Sequence, residues 1–365
     1  MKKILIVDDS ALMRRVLCDI INSDDRLELG DIARNGKEAY QLMKQKSYDG
    51  MILDIMMPEM DGLQLLELMN KERIKIPTVM ASTLTAEGAR ETLRALELGA
   101  FDFVQKPGNL IEAKGELFRG KLLSTMVLAV NNIDKKPMGT HASGQEPKNP
   151  LPDTSQSFGG AITPKRNNAS LTHGNKVIAL ACSTGGPKSL QSVIPLLPEN
   201  IDAPMVLVQH MPVGFTKSLA DRLNETSKVT VKEAEEGDTL QKGWVYIAPG
   251  GKHLEVVCTG GKHVVHISDA PPIGGLRPCA NVMYRSLMQS TYDEVICVVL
   301  TGMGGDGTDG ITQLSTKKKI YVIAQDQETS VVYGMPKMIF EAGMVDVVQP
   351  LGKVADAITR NVGVH

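Results

Sequence analysis

The chain has 365 residues, 42% of them hydrophobic and 22% charged, a composition that suits a globular protein large enough for two domains. Its formal net charge of −2 gives no electrostatic reason to expect a nucleic acid or an anionic membrane as a partner. No apolar stretch is long enough to span a bilayer, and the five cysteines are scattered without a Cys-x-x-Cys pair. We therefore expect a cytoplasmic protein with reduced thiols.

Short apolar runs alternate with amphipathic stretches between Ile4 and about residue 120. The apolar runs predict buried strands at Ile4–Val7, Met51–Leu53, Thr78–Ala81 and Phe101–Val104. The amphipathic stretches predict helices, among them Leu12–Asn22, Gly36–Lys44 and Leu63–Met69. This alternation predicts a doubly wound α/β domain at residues 1–120.

Polar side chains follow the ends of these strands: Asp8, Asp9, Asp54, Ser82 and Lys106. The carboxyl ends of parallel strands meet at one edge of a sheet, so we expect these side chains to converge. Clustered carboxylates repel one another unless a cation shares them, and Mg²⁺ prefers a few carboxylates with water and phosphate oxygens. Asp54 would then accept a phosphoryl group, whose oxygens Ser82 and Lys106 would contact. The alternative is that Asp8-Asp9 caps a helix and that Lys106 is a solvated loop lysine.

The motifs around these residues resemble those of a response-regulator receiver domain, which has a flavodoxin-like fold. They are ILIVDDS at 4–10, LDIMMPEMDG at 53–62 and the pair Lys106-Pro107. The resemblance implies that a histidine kinase supplies the phosphoryl group to Asp54. It also implies that Mg²⁺ binds Asp9, Asp54 and the backbone carbonyl of Met56, with Asp8 acting through water.

A segment rich in Pro, Gly, Ser, Thr and Asn follows, and apolar periodicity is lost between about Asn131 and Asn175. Such a composition cannot bury enough apolar area to offset the entropy lost on ordering. We therefore assign residues 121–174 to a flexible linker and residues 175–365 to a second α/β domain, in which strands and helices alternate again.

Three apolar runs of this second domain each end in a polar signal. Ser183 follows the run at 177–180, His210 follows the run at 205–208, and Asp306 follows the run at 295–300. A hydroxyl, an imidazole and a carboxylate at one sheet edge are the groups that nucleophilic acyl transfer needs. Ser183 would attack, His210 would be the general base, and Asp306 would orient the imidazole.

The glycines near Ser183 and Asp306 favour tight turns that expose backbone N–H groups to a substrate oxygen. Thr184 begins one such turn, and Met303 and Gly304 lie in the other, in the sequence GMGGDG at 302–307. We expect the backbone of these residues to stabilise an oxyanion.

Several alternatives remain open at this point. Ser183 and Thr184 would also serve as a helix cap, His210 as a core histidine and Asp306 as a turn residue. The GMGGDG sequence matches the Gly-x-Gly-x-x-Gly pattern of dinucleotide sites, with Asp326 near the position of a ribose-binding acid. A third class is a non-catalytic binding module switched by phosphorylation.

Five motifs of the second domain resemble those of the chemotaxis protein-glutamate methylesterase family: CSTGGP at 182–187, VQHMPVGFT at 208–216, YIAPGGKH at 246–253, LTGMGGDG at 300–307 and VYGMP at 332–336. The resemblance implies a receiver joined to a Rossmann-like catalytic domain with a largely parallel sheet. It places Ser183, His210 and Asp306 at the catalytic triad positions.

The implied activity is a phosphorylation-activated hydrolysis of glutamate methyl esters on methyl-accepting chemotaxis receptors, with deamidation of selected glutamines. The implied protein is a monomer that uses Mg²⁺ for phosphorylation and no cofactor for ester hydrolysis. The chain departs from the family at Leu276, Cys279 and Asn281, in LRPCAN where HRPSVD is frequent. We expect these departures to leave the triad intact and to alter the rim of the site.

Overall fold

The computed structural model describes residues 1–83, 85–113, 115–131, 170 and 173–364. Within these ranges the chain forms two parallel sheets, each with helices on both faces, and a separate two-stranded ribbon. Most of the predicted linker at 121–174 lies outside the described residues. No helix in the described ranges is both long enough and apolar enough to cross a membrane.

The first sheet has five parallel strands in the order β2-β1-β3-β4-β5. The strands are β1 (Lys2–Val7), β2 (Leu27–Ala33), β3 (Gly50–Asp54), β4 (Thr78–Ser82) and β5 (Asp102–Gln105). The helices are α1 (Ala11–Ile21), α2 (Gly36–Gln45), α3 (Gly62–Lys71), α4 (Ala86–Glu97), α5 (Leu110–Ala113) and α6 (Glu116–Asn131). The strand order and the two layers of helices confirm the predicted doubly wound fold.

Helices α1 to α4 begin at polar caps. The side chains of Ser10, Asn35, Asp61 and Thr85 each accept a hydrogen bond from the backbone N–H three residues further on. These caps satisfy donors that the first helical turn leaves free. They also fix where the loops at the carboxyl edge of the sheet end, and those loops carry the acidic residues.

Helix α6 corrects the predicted start of the linker. The prediction assigns residues 121–131 to the linker, whereas the helix continues to Asn131. Leu122, Met126 and Val130 are buried on α6 because they pack against the first sheet. Leu117 on the same helix is 90% exposed, so the apolar residues do not form one clear stripe that would mark the helix in the sequence.

The second sheet has seven parallel strands in the order β14-β13-β12-β6-β7-β9-β8. The strands are β6 (Lys176–Cys182), β7 (Met205–Gln209), β8 (Thr230–Glu233), β9 (Trp244–Ile247), β12 (Glu294–Val299), β13 (Lys319–Gln325) and β14 (Val347–Gln349). Strands β10 (His253–Thr259) and β11 (Lys262–Ser268) form the antiparallel ribbon. The helices are α7 (Gly186–Val193), α8 (Phe215–Thr226), α9 (Ala280–Ser286), α10 (Thr308–Leu314), α11 (Met335–Glu341) and α12 (Leu351–Val362).

The centre of this sheet positions the site. Strands β6, β7 and β12 are buried along their whole length, as expected for strands covered by helices on both faces. Strand β6 lies between β12 and β7, and all three run in the same direction. Residues that follow these strands therefore share one edge of the sheet.

The two domains pack against each other along α4 of the first, which contacts α7 and α8 of the second. The rings of Phe103 and Phe215 stack across the interface with centroids 4.7 Å apart. The carboxylate of Glu97 accepts hydrogen bonds from Arg222 Nε at 2.9 Å and from Gln191 Nε2 at 3.0 Å. The interface thus has an apolar centre and a charged border.

Candidate active site and phosphorylation site

Ser183 lies directly after β6, at the start of a tight turn into α7. Its backbone N–H donates to the carbonyl of Thr301 at 3.0 Å, which fixes the turn against the loop that follows β12. Gly185 caps α7 with φ of +77°, a left-handed conformation that favours glycine. A Cβ on Gly186 would lie 1.9 Å from Gln209 Oε1, so the second glycine permits the close approach of β7. The turn holds Ser183 buried at the sheet edge.

His210 and Asp306 form the predicted pair. His210 follows β7, and Asp306 lies in the loop between β12 and α10. The His210 Nε2 atom is 2.8 Å from Asp306 Oδ2, and both side chains are less than 10% exposed. Because the carboxylate occupies Nε2, Nδ1 is the ring nitrogen left to accept a proton from a nucleophile.

Asp306 is held by a set of donors that favours its ionised form. Besides His210, its Oδ2 accepts from the backbone N–H of Ala280 at 2.6 Å. Its Oδ1 accepts from the backbone N–H groups of Asn281 and Gly307, both at 3.0 Å, and from Cys279 Sγ at 3.1 Å. Burial alone would raise the pKa of Asp306, but the hydrogen bonds and the charge of His210 outweigh it and lower the pKa to about 2.

This arrangement corrects the prediction for the LRPCAN segment. The sequence led us to expect an altered rim around an intact triad. Both residues instead contact Asp306, Cys279 through its thiol and Asn281 through its backbone N–H. The side-chain Oδ1 of Asn281 also accepts from the backbone N–H groups of Gly307 and Gly310, which fixes the loop that carries Asp306.

Gln209 is a residue of this site that the sequence analysis missed. Its Nε2 donates to the backbone carbonyl of Ser183 at 3.0 Å and to that of His210 at 3.2 Å. Its Oε1 accepts from Cys182 Sγ at 3.0 Å, and the side chain is only 2% exposed. One buried amide therefore links the backbones of the residues predicted as nucleophile and base. Only the position of Gln209, directly before His210, signals this in the sequence.

The predicted oxyanion donors belong to two segments of backbone near Ser183. The N–H of Ser183 donates to the carbonyl of Thr301, and the N–H of Gly186 donates to the carbonyl of Ser183. The described residues supply no acceptor for the N–H of Thr184. Gly302, next to Met303, approaches Ser183 so closely that a Cβ on it would lie 2.8 Å from Ser183 Cβ. Gly304 has φ of +81°, and the side chain of Met303 is 41% exposed.

The predicted acidic residues of the first domain also converge. Ligand oxygens of Asp8, Asp9 and Asp54 lie within 4.8 Å of one another. Lys106 Nζ is 2.7 Å from Asp8 Oδ2 and 2.6 Å from Asp54 Oδ2, and the lysine side chain is 11% exposed. Burial raises the pKa of Asp54 to about 6, with Asp8 adding to the rise and Lys106 opposing it.

These positions exclude the alternative reading of the acidic residues. Ser10, rather than Asp8 or Asp9, caps α1, and Lys106 lies between two carboxylates with its side chain 11% exposed. The Ser82 hydroxyl bonds to α4: it donates to the carbonyl of Gly88 at 3.2 Å and accepts from Thr92 Oγ1 at 2.7 Å.

A cavity of about 630 Å³ separates the carboxyl edges of the two domains. Its wall includes Lys106 of the first domain and Ser183 and His210 of the second. Beside it, the buried carboxylate of Asp102 on β5 accepts a hydrogen bond from the backbone N–H of Phe103 at 2.9 Å. Burial raises the pKa of Asp102, against the opposing charge of Lys121. The first domain therefore covers the edge that carries Ser183.

The dinucleotide alternative finds no support in the geometry. The carboxylate of Asp326 accepts from the backbone N–H of Thr329 at 2.9 Å and from its hydroxyl at 2.5 Å, so this acid closes a turn. The glycines at 302–307 pack the loop against Ser183 and place Asp306 beside His210.

Comparison with known proteins agrees with this geometry. A model of the CheB methylesterase family matches residues 178–358, and a response regulator receiver domain model matches residues 4–115. A protein-glutamate methylesterase/protein-glutamine glutaminase 1 from Syntrophomonas wolfei is 39% identical over 98% of both chains. A protein-glutamate methylesterase/protein-glutamine glutaminase from Pyrococcus abyssi is 40% identical over 99% of this chain and 93% of the relative.

The chain belongs to the protein-glutamate methylesterase/protein-glutamine glutaminase family. The family resemblance predicted from the motifs is thereby confirmed. Among solved structures, the CheB methylesterase catalytic domain of Thermotoga maritima matches with 44% identity and a TM-score of 0.50, over 51% of this chain and 98% of that domain.

Proposed function

We propose that this chain hydrolyses glutamate γ-methyl esters on chemotaxis receptors and deamidates selected receptor glutamines, with Ser183, His210 and Asp306 as the catalytic residues. The observation that carries the proposal is the buried His210–Asp306 pair beside Ser183 at the ends of three adjacent parallel strands. The family to which the chain belongs supplies the substrate class.

The chemistry follows from the positions of these groups. Ser183 Oγ attacks the ester carbonyl while His210 Nδ1 accepts the hydroxyl proton, and Asp306 stabilises the resulting imidazolium. Collapse of the tetrahedral intermediate breaks the C–O bond to the methoxy group, which takes the proton from His210 and leaves as methanol. Water then attacks the acyl-enzyme while His210 accepts its proton. Collapse of this second intermediate breaks the bond to Ser183 Oγ, which regains a proton from His210, and the glutamate side chain leaves as its carboxylate. With a glutamine substrate, ammonia leaves in place of methanol.

Backbone donors near Ser183 would stabilise the negative oxygen of the intermediate. The N–H of Thr184 is the best placed of them, because it follows Ser183 directly and the described residues give it no acceptor. The loop at Met303 and Gly304 approaches Ser183 from the opposite side, as the close approach of Gly302 supports.

The first domain would be the phosphorylated switch, with Asp54 as acceptor. The donor set fits Mg²⁺, because three carboxylates lie together and burial of Asp54 penalises its charge. Asp9, Asp54 and the Met56 carbonyl would hold the ion, with Asp8 acting through water. When bound, Mg²⁺ would neutralise charge on the phosphoryl oxygens. Lys106 would contact these oxygens directly.

Phosphorylation would open the domain interface. In this structure the Ser82 hydroxyl is hydrogen-bonded to Gly88 and Thr92 of α4. To bind a phosphoryl oxygen on Asp54, Ser82 would have to give up these two bonds. Helix α4 also carries Glu97, which holds α7 and α8 of the second domain. A change at Ser82 therefore acts on the helix that contacts the catalytic domain. Release of that contact would expose Ser183 to receptor.

The remaining partner assignments complete the proposal. A chemotaxis histidine kinase would donate the phosphoryl group, and the methyl-accepting receptors would be the substrates. We place the chain in the cytoplasm and, following the family resemblance, as a monomer.

Methanol release from methylated receptor membranes tests the hydrolase. The wild-type chain with a phosphodonor should release methanol, and Ser183→Ala should not. Ser192→Ala, which removes an exposed hydroxyl on α7, should retain activity. A wild type that binds receptor but releases no methanol would instead support a non-catalytic binding module.

The switch is tested separately with Asp54→Asn and acetyl phosphate as the phosphodonor. The wild type should gain activity on addition of the phosphodonor, whereas Asp54→Asn should keep only its basal rate. Equal activity of both proteins with and without phosphodonor would overturn the gating model and leave the esterase assignment intact.

A further inference from the structure

The thiol of Cys279 lies 3.1 Å from Asp306 Oδ1, in a side chain that is 1% exposed. Burial raises the pKa of Cys279 to about 12, and the charge of Asp306 adds to this effect. The sulfur is therefore a neutral thiol, which donates its hydrogen to the carboxylate and is a poor nucleophile.

Cys279 differs in kind from most other donors to Asp306. Three of them are backbone N–H groups, of Ala280, Asn281 and Gly307, which every residue except proline provides. The fourth is His210, which has its own catalytic role. Among the described contacts of this carboxylate, the thiol is thus the donor whose strength depends on the residue type.

We propose that Cys279 is a positioning residue that holds Asp306 and sets how much negative charge this carboxylate presents to His210. The inference rests on the proposed function of the triad. A thiol is a weak donor and draws little charge toward Oδ1. A hydroxyl forms a stronger hydrogen bond to a carboxylate and would draw more. Charge left on Oδ2 stabilises the imidazolium that forms during acylation.

Substitutions at Cys279 should therefore move the acid limb of the pH profile in opposite directions. Cys279→Ala removes the donor, so the imidazolium is better stabilised and the midpoint of the limb in kcat/KM should rise. Cys279→Ser strengthens the donor, so the midpoint should fall. We expect a downward shift of about 0.3–1 pH unit for Cys279→Ser and a smaller upward shift for Cys279→Ala, because the thiol that is removed is a weak donor.

Other ionisable groups face the pair and are common to all variants. Tyr284 of α9 is buried near Asp306, with its hydroxyl donating to the carbonyls of Ala179 and Val298. Across the cavity are Asp102, Lys106, Glu112, Glu116 and Lys121. Their effect on the profile should cancel in a comparison of variants measured under the same phosphorylating conditions.

The test uses the full chain with methylated receptor membranes and acetyl phosphate, and measures kcat/KM for methanol release from pH 5.5 to 9. Cys297→Ala is the control, because this buried cysteine of β12 contacts the carbonyl of Val295. Its limb should coincide with that of the wild type. Thermal melts of each variant identify losses due to unfolding.

Opposite shifts for the alanine and serine variants support the proposal. If both variants have reduced rates but an unchanged midpoint of the acid limb, Cys279 contributes only to packing, and the proposal is overturned. If the wild type releases no methanol, the proposed function fails. NMR titration of the His210 imidazole in the same variants then still shows whether Cys279 affects the protonation of His210. Equal titration midpoints in all variants would then refute the proposal.

Discussion

The two carboxyl edges of this molecule treat buried acids in opposite ways. At the receiver edge, Asp54 receives one backbone N–H, from Ile55, and shares Lys106 with Asp8, and its pKa is raised to about 6. At the catalytic edge, Asp306 accepts five hydrogen bonds and its pKa is lowered to about 2. Both acids are buried, so the difference lies in the donors.

This comparison separates two uses of a buried charge. Desolvation penalises ionised carboxylates at both edges, and only a full set of donors overcomes it. The satisfied Asp306 is suited to remain ionised while the imidazole beside it gains and loses a proton. The undersatisfied Asp54 is suited to bind something positive or to be modified.

The largest expected effect tests the catalytic edge. Asp306→Asn should lower kcat by about 10³–10⁴-fold, because a neutral amide cannot stabilise the His210 imidazolium. Methanol release under phosphorylating conditions measures the loss. The matched control is Asp309→Asn, an acid in the first turn of α10 that lies outside the proposed triad. A loss below tenfold would show that the carboxylate only supports the loop.

Removal of the Gln209 amide should give the next largest effect. Gln209→Met keeps the side-chain length but loses both hydrogen bonds to the Ser183 and His210 carbonyls. A displacement of these backbones should lower kcat by about 10–100-fold with a smaller change in KM. Gln313→Met, at an amide bonded to Arg285, serves as control. Unchanged kcat in a folded Gln209→Met protein would contradict the linking role.

The receiver edge should respond to neutralisation in the opposite sense. Asp54→Asn should raise the free energy of unfolding at pH 7 by about 1–3 kcal/mol, because it removes a desolvated charge while Lys106 keeps Asp8 as partner. Urea unfolding followed by circular dichroism measures the change. Asp9→Asn, at an exposed acid, should have a much smaller effect. A destabilised Asp54→Asn protein would show that the bond to Lys106 outweighs the burial cost.

The stability of the receiver should also depend on pH and Mg²⁺. The pKa of Asp54 is raised from 3.8 to about 6 in the folded chain, so its stability contribution is complete below about pH 4 and is lost as the pH rises through 6. Mg²⁺ should therefore stabilise the wild type by about 1–2 kcal/mol at pH 7.5 and by less at pH 5. Thermal melts at both pH values measure this difference. If Asp54→Asn responds to Mg²⁺ as the wild type does, the site lies elsewhere.

The smallest effect tests the contact between the edges. Glu97→Arg should raise the basal esterase rate about two- to fivefold, because it places two cations together at the interface and exposed ion pairs contribute little. The assay is methanol release without a phosphodonor. Glu67→Arg, where the partner Arg94 belongs to the same domain, should leave the basal rate unchanged. Equal basal rates for both variants would show that the charged border of the interface does not restrain the esterase.

The sequence predicted the residues that follow strands better than those that support them. Ser183, His210 and Asp54 lie within three residues of the ends of buried apolar runs, which mark both the strand and its end. The role of Gln209 depends on the neighbouring strand β6, 26 residues away, and that of Cys279 depends on a loop 27 residues away. Such contacts arise from packing of distant segments, and no local pattern in a single sequence encodes them.

The end of the first domain was wrong for a related reason. Helix α6 buries Leu122, Met126 and Val130 yet exposes Leu117 beside the cavity, so its pattern lacks a polar face. Burial on this helix is decided by its packing against the first sheet, which is a property of the folded chain. Conversely, the receiver helices α1 to α4 were easier to place, because each begins at a polar cap.

Strand β5 has a mechanical consequence. Phe103, which stacks on the catalytic domain, precedes Lys106 by three residues, so about 10 Å of extended backbone joins the interface to the lysine of the acidic pocket. The strand is hydrogen-bonded to β4 from Asp102 to Gln105, which holds its residues in fixed register. A displacement of Lys106 would therefore move Phe103 directly, with no rearrangement of the chain between them. The rate of activation would be limited by separation of the domains. The rate of return to the inactive form would be limited by loss of the phosphoryl group from Asp54.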